Sequence, residues 1–302
     1  MKILYASLLL ALLTGCVTTG PQVDRTYSAK GQSSRVKYVV LHYTVSDRPR
    51  SLKILTEQVV SAHYLLTDDE KPVIYGLVDE TRQANHAYLS SWKGYTQLNS
   101  SSIGIEIVNP GFTEGPGGRT WYPFPQAQID SLSVLLKDIL ARHSIPPENV
   151  IGHADIAPMR KQDPGPMFPW QQLAQQGLAQ WPDPVKVAAA RPGFDVLLPD
   201  VAWFQQKLAA VGYAVPQNGE LDTATRAVLV AFQTHYRPPL IDGTPDAETA
   251  SLLEALVPTP CLSLLPRRKT DSHAAASHRS LPRDHAGRDH QWRRAGAAHI
   301  AA

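Results

Sequence analysis

The sequence predicts an α/β (α+β) fold, a mixed central sheet flanked by helices, followed by a small three-helix domain. Three observations carry this expectation. Short β-branched, apolar runs alternate with helical periodicities over the first 180 residues, which is the pattern of a sheet covered by helices. From residue 197 onward the apolar residues step only by three and four. Between the two patterns lie Pro182-Asp183-Pro184 and the Ala188 to Gly193 stretch, which read as a linker. A chain of 302 residues is long enough for two domains, and 43% hydrophobic with 19% charged residues is an ordinary globular composition.

The elements follow in order. Met1-Lys2 is basic, and Ile3 to Leu13 is an apolar run of signal-peptide length, too short to span a bilayer. Leu13-Thr14-Gly15-Cys16 then resembles a bacterial lipobox, with cleavage before Cys16 and lipid attached to it. Residues 1–15 are thus expected to be a lipoprotein signal peptide, and the polar residues 16–33 a tether. Several acyl chains at ~0.8 kcal/mol per buried methylene hold a protein stably on a bilayer. Val17 stands where lipoproteins retained in the inner membrane carry Asp, so the expected location is the outer membrane, facing the periplasm.

Arg35 to His42 reads as a buried strand, Leu52 to Ala62 as a helix with Ser51 as N-cap, Val73 to Val78 and Ser102 to Val108 as further strands. Asn109-Pro110-Gly111 stops the last of these, and Gly115 to Pro125 reads as a loop. Gln126 to His143 places Ile129, Leu132, Leu135, Leu136 and Ile139 on one helical stripe. Asn149 to Gly152 is a short strand running into His153, and Trp170 to Leu178 a helix. In residues 197–257, Val201, Phe204, Leu208 and Val211 mark one helix ended by Gly212. Asp222 and Asp246 cap two more, each with a Thr three residues on, which makes a short internal repeat.

Residues 258–302 read as a disordered basic tail. The chain carries a net charge of +2, of which the tail contributes +5, so the body shows no basic character that would suit a nucleic acid. The tail histidines (His273, His278, His285, His290, His299) are irregularly spaced and read as no metal site. With Cys16 assigned to lipid, Cys261 has no intramolecular partner, so neither a disulfide framework nor a cysteine zinc site is expected.

Chemistry concentrates in four short stretches: Val39-Val40-Leu41-His42, Ile103-Gly104-Ile105-Glu106, Gly152-His153-Ala154-Asp155 and Lys161-Gln162-Asp163-Pro164-Gly165. Two histidines and one carboxylate form a three-ligand zinc set that leaves a position open for water, the mark of a hydrolytic rather than a structural zinc. Spacing alone leaves each histidine as readily a surface or core residue. What favours convergence is that His42 and His153 each end or follow a strand, and neighbouring strands bring their ends together.

These motifs, V-V-L-H-Y-T, S-I-G-I-E-I, G-H-A-D-I-A-P and R-K-Q-D-P-G-P, resemble the zinc N-acetylmuramoyl-L-alanine amidases of the amidase-2 family, whose fold peptidoglycan recognition proteins share. The resemblance covers about residues 34–182, the expected amidase domain, followed by a linker at 183–196. Residues 197–257, with V-x-x-F-Q-x-x-L, D-x-x-T and A-F-Q, resemble the peptidoglycan-binding three-helix domain. Lipobox, amidase and binding module in this order resemble the outer-membrane lipoprotein members of the family.

The resemblance implies one zinc ion held by His42, His153 and Asp163, with Glu106 as general base and acid and Lys161 stabilising the oxyanion. It implies peptidoglycan muropeptides as substrate, hydrolysis of the amide between N-acetylmuramic acid and L-alanine, and a monomer. His86 and Asn109 are candidate substrate-lining residues, His63 a core or pocket-wall residue, and Asp155 either a support for a ligand or the cap of a turn. Trp92, Trp121 and Tyr122 could equally stack on sugar rings or pack internally. The rival readings are a non-catalytic peptidoglycan-recognition protein on the same fold and a zinc D,D-peptidase with a similar binding module.

Overall fold

The computed structural model describes residues 21 and 23–257. Cys16, Cys261, the signal peptide and the tail lie outside the described residues, while residues 23–33 of the expected tether are exposed and form neither strand nor helix. No helix among the described residues is long and apolar enough to cross a membrane.

The chain runs β1 (Tyr38–Tyr43), α1 (Arg48–Glu57), β2 (Tyr64–Leu66), β3 (Ile74–Gly76), β4 (Ser91–Trp92), β5 (Tyr95–Thr96), β6 (Ser102–Ile107), β7 (Phe112–Gly115), β8 (Gly118–Trp121), α2 (Gln126–His143), β9 (Val150–Gly152), α3 (His153–Ile156), α4 (Trp170–Gln175), α5 (Pro184–Val196), α6 (Val201–Val211), α7 (Thr223–Tyr236) and α8 (Ala247–Leu256). Five strands form the central sheet in the order β3-β2-β6-β1-β9. β2, β6, β1 and β9 are parallel, and β3 closes one edge antiparallel, so the sheet is mixed, as expected.

Strand alternation sorts the side chains into two layers. Val39 and Leu41 of β1, with Ile103, Ile105 and Ile107 of β6, pack against the α2 stripe of Ile129, Leu132, Leu136 and Ile139. Each such fully buried aliphatic contributes about 1.5–3 kcal/mol, so this layer fixes the register of the central strands. The opposite face carries Tyr38 and Val40, which join a second core that continues through Trp92, Ile151 and Ile156 into Phe204, Leu208, Leu229, Phe232 and Leu253 of the C-terminal helices. The helical module therefore shares a hydrophobic core with the sheet.

Local chemistry explains where the elements depart from expectation. The first helix begins earlier, with Asp47 as N-cap accepting from the Arg50 N–H and Pro49 in its first turn; Ser51 is buried inside it. Gly115 to Pro125, read as a loop, instead supplies β8, which pairs with β7 as a hairpin. The segment 183–196, read as a linker, is helix α5. Asp183 caps it, Pro184 opens it, and it packs on the C-terminal core through Val187 and Phe194. Asp222 and Asp246 cap α7 and α8 by accepting from the Thr225 and Thr249 N–H groups, both at 2.7 Å.

The internal repeat has a matching polar skeleton. Gln205 Oε1 accepts from the Gly219 N–H at 2.8 Å and its Nε2 donates to Thr225 Oγ1 at 2.9 Å. Gln233 Oε1 accepts from the Gly243 N–H at 2.8 Å and its Nε2 donates to the Thr244 carbonyl at 3.1 Å. Both glutamines follow a fully buried phenylalanine, Phe204 and Phe232.

Candidate metal centre and active site

β1 and β6 pair in register, so His42 lies opposite Glu106. β9, on the other side of β1, delivers His153 as the first residue of α3. Asp163 returns on the loop after α3, where its carbonyl accepts from the Ala154 N–H at 2.8 Å. The return requires a glycine: a Cβ at Gly152 would stand 2.8 Å from Pro164 Cδ, so the Pro164 ring packs directly on the β9 backbone.

Three donor atoms converge. His42 Nδ1 and His153 Nδ1 are 2.9 Å apart, and each lies 3.1 Å from Asp163 Oδ2. All three residues are buried. Burial, reinforced by His153, lowers the His42 pKa to about 4 against the opposing pull of Asp163, so its imidazole is neutral at physiological pH, the form that ligates a metal. Burial raises the Asp163 carboxyl, but the neighbouring His153 and His42 overcome it and hold the group well below the ordinary range, as an anion. Two imidazole nitrogens and one carboxylate oxygen aimed at a common point fit a zinc-type donor set.

A hydrogen-bond chain selects the His42 tautomer. Ser102 Oγ donates to the Leu98 carbonyl at 2.6 Å, so toward His86 Nε2, 3.1 Å away, it accepts. His86 Nδ1 is then the acceptor for His42 Nε2–H at 3.0 Å, which leaves the lone pair of His42 Nδ1 facing Asp163 and His153. Gly104 makes room for this arrangement, because a Cβ there would run into the His86 ring. Ser102, Gly104 and Glu106 share one face of β6, so one strand carries the support, the clearance and the carboxylate.

His42, Glu106, His153, Lys161 and Asp163 line one cavity of about 270 Å³, whose further walls include Val45, Ile54, Leu55 and Val60. Glu106 Oε2 is buried with no hydrogen-bond partner among the described residues. Burial first, and then Asp163, push the Glu106 carboxyl up to about 8, with Lys161 opposing. A cation held at Asp163 would cancel that carboxylate's repulsion of Glu106 and leave burial as the main cause of the shift. Lys161 is exposed at the cavity mouth.

Other expected residues find different places. Asn109 is buried and its side chain is spent on the loop: its amide donates to the Pro123 carbonyl at 3.1 Å and its Oδ1 accepts from the Gly111 N–H at 2.7 Å. It braces β7 and the segment after β8 and, contrary to the substrate-lining expectation, is not among the residues that line the cavity. His86 does touch the cavity, yet its ring nitrogens are committed to His42 and Ser102. His63 is a core residue whose Nδ1 accepts from the Gly104 N–H at 3.0 Å. Trp92 is buried against Tyr213, ring centroids 4.8 Å apart, and is not free to stack on a sugar. Trp121 packs on Phe112, and Tyr122 is exposed.

The profile of the amidase-2 family, N-acetylmuramoyl-L-alanine amidase, matches residues 32–166, and that of a peptidoglycan binding domain matches residues 198–253. N-acetylmuramoyl-L-alanine amidase AmiD of Escherichia coli K12 is 45% identical over 259 residues, covering 82% of this chain and 94% of AmiD. The chain belongs to the amidase-2 family. It is an N-acetylmuramoyl-L-alanine amidase that acts on peptidoglycan. The solved complex of E. coli AmiD with anhydro-N-acetylmuramic acid-L-Ala-D-gamma-Glu-L-Lys superposes at a TM-score of 0.72 with 46% identity, covering 78% of this chain and 94% of that one. AmpDh3 of Pseudomonas aeruginosa superposes at 0.73 with 37% identity, covering 78% of this chain and 98% of its own. A second AmpDh3 structure contains anhydromuramic pentapeptide.

Proposed function

We propose that this chain is a lipid-anchored zinc hydrolase that cuts the amide between the lactyl group of N-acetylmuramic acid and L-alanine of the peptidoglycan stem. The observation that carries the reading is the convergence of His42, His153 and Asp163 in the cavity that also holds Glu106 and Lys161. When bound, a zinc ion supplies Lewis acidity that polarises the amide carbonyl and brings the pKa of the attacking water to ~7.

The residues of the chain do the rest. Glu106, as a carboxylate, takes a proton from the attacking water and returns it to the departing alanine nitrogen. Lys161 places a positive charge beside the carbonyl oxygen, where negative charge develops as the tetrahedral carbon forms. The products are a muramic acid carboxylate and a free stem peptide. The presence of both Glu106 and Lys161 beside the donor set favours hydrolysis over recognition alone. The anhydro-muramyl peptides in the complexes of AmiD and AmpDh3 support the same substrate class here.

The module at 197–257 is proposed to bind the wall polymer and raise local substrate concentration, and the lipobox at Cys16 to hold the enzyme on the periplasmic face of the outer membrane. Purified sacculi incubated with the enzyme should release stem peptides with free L-alanine amino termini, a reaction stopped by chelator and restored by zinc. Release of D-alanine with intact lactyl amides would sink the reading. Cys16→Ser should abolish lipid attachment and remove the protein from the outer-membrane fraction.

A further inference from the structure

Asp155 is buried two residues beyond His153, and each of its carboxylate oxygens is hydrogen-bonded. Oδ2 accepts from the Gly152 N–H at 2.7 Å, closing the N-terminus of α3 at the turn that presents His153. The remaining donors come from the C-terminal module, Tyr213 from the connection after α6 and His235 from α7. The Tyr213 hydroxyl donates to Oδ1 at 2.6 Å, and His235 Nδ1 lies 2.8 Å from Oδ2. His235 Nε2 is buried with no partner among the described residues, which leaves the ring proton on Nδ1, facing the carboxylate.

Both donors are held rigidly. The His235 ring lies between Trp170, at 3.8 Å and 16°, and Tyr236, at 4.0 Å and 14°. Tyr213 packs edge-on to Trp92, and the neighbouring Gly212 carbonyl accepts from the Lys93 N–H at 2.8 Å. A buried carboxylate with all its donors in place is compensated for its lost hydration; without two of them it is not, and it must move or draw water into the turn that carries His153.

We propose that the C-terminal helical module is a working part of the metal centre: Tyr213 and His235 are positioning residues that hold Asp155, and through it the Gly152–His153 turn, in place for metal binding. This rests on the reading of His42, His153 and Asp163 as a metal site. A helical module that only anchored the enzyme would have no reason to place two buried donors on a carboxylate beside a ligand.

The test compares full-length wild type with Tyr213→Phe, His235→Phe and their combination, which remove the donors and keep the rings. Trp181→Leu is the control, since Trp181 packs on Tyr236 across the same interface at 5.7 Å without touching Asp155. Zinc affinity is read by competition with a chromophoric chelator, and Tm is measured on metal-free protein. The double variant should bind zinc about tenfold or more weakly, and Trp181→Leu should lower Tm with zinc affinity within about twofold of wild type. Should the double variant fail to fold, Tyr213→Phe alone should still weaken zinc binding. Unchanged zinc affinity in the donor variants, or equal loss in the control, overturns the positioning role. A wild type that holds no stoichiometric zinc overturns the metal centre itself, and the inference with it.

Discussion

His42 and Glu106 are direct register partners on the parallel strands β1 and β6. The pairing sets an imidazole and a carboxylate one interstrand spacing apart, about 4.8 Å between backbones, with both side chains on the same face. The register is held by the other face, where Val39 and Leu41 interlock with Ile103 and Ile105 beneath α2. A one-residue slip of either strand would turn its own functional group into that core. The apolar layer thereby sets the geometry of the candidate site.

Glu106 and His153 should separate chemistry from metal binding. Glu106→Ala removes the proton carrier and leaves the three donor atoms untouched. Turnover of muropeptides should fall by about 10²–10⁴-fold with zinc content retained. His153→Ala removes a donor and should lose both. Mass analysis of sacculus digests beside zinc quantitation checks the pair, and zinc loss in Glu106→Ala would refute the division of roles.

Ser102 and Gly104 should matter to zinc although neither approaches it. Ser102→Ala deletes the acceptor for His86 Nε2–H, so His86 no longer prefers the tautomer that receives the His42 proton. Gly104→Ala drives a methyl group into the His86 ring. The first should weaken zinc binding about tenfold. The second should also destabilise the fold by about 1–3 kcal/mol through overpacking. Chelator competition and thermal unfolding read the two effects, and a Ser102→Ala variant with wild-type zinc affinity would exclude the tautomer chain.

Much of this site was legible in the sequence because its residues sit where regular patterns end. His42 and Glu106 close β-branched runs, and α2 spans Gln126–His143 as its stripe predicts. The caps at Asp222 and Asp246 were equally readable, since an Asp-x-x-Thr start is a local interaction. What escaped notice depends on distant partners. The sequence leaves Trp92 open to sugar stacking or internal packing, and Tyr213, more than a hundred residues later, decides for packing. α5 resembled a linker because alanines, prolines and a glycine carry little periodicity, and its helix is stabilised by packing on α8. The Asp155 contacts with Tyr213 and His235 leave no trace in spacing. The pairing of Gly118–Trp121 with Phe112–Gly115 was hidden by glycines that read as loop.

Glu80 should govern acid stability. Burial raises its pKa, but hydrogen bonds from Arg142, Tyr64 and His143 outweigh this and hold it at about 2. The folded pKa is lowered, so the stabilisation is complete above the unfolded value near 4.5 and is lost as pH falls from there toward 2. The network is partly solvated, which limits its worth to about 1 kcal/mol at neutral pH. Glu80→Gln should lower Tm by about 2–4 °C at pH 7 and have little effect near pH 2. Thermal melts across this range check the convergence; an equal deficit at every pH would point to lost packing instead.

Gln205 offers a test of whether the two modules unfold together. It is fully buried, and its amide ties the Gly219 N–H, the Asn218 side chain and Thr225 into the start of α7. Gln205→Ala strands these groups, and each unsatisfied one costs about 1–3 kcal/mol unless water reaches it. Were the helical module an independent bead on a linker, the variant would melt in two steps, with the amidase core unaffected. The core that runs from Val40 and Ile151 through Tyr213 to Phe232 argues otherwise. Calorimetry of Gln205→Ala should show one transition, shifted down by about 2–4 °C per kcal/mol lost, and zinc added to saturation should raise it, because metal bound at His153 stabilises the whole body by mass action.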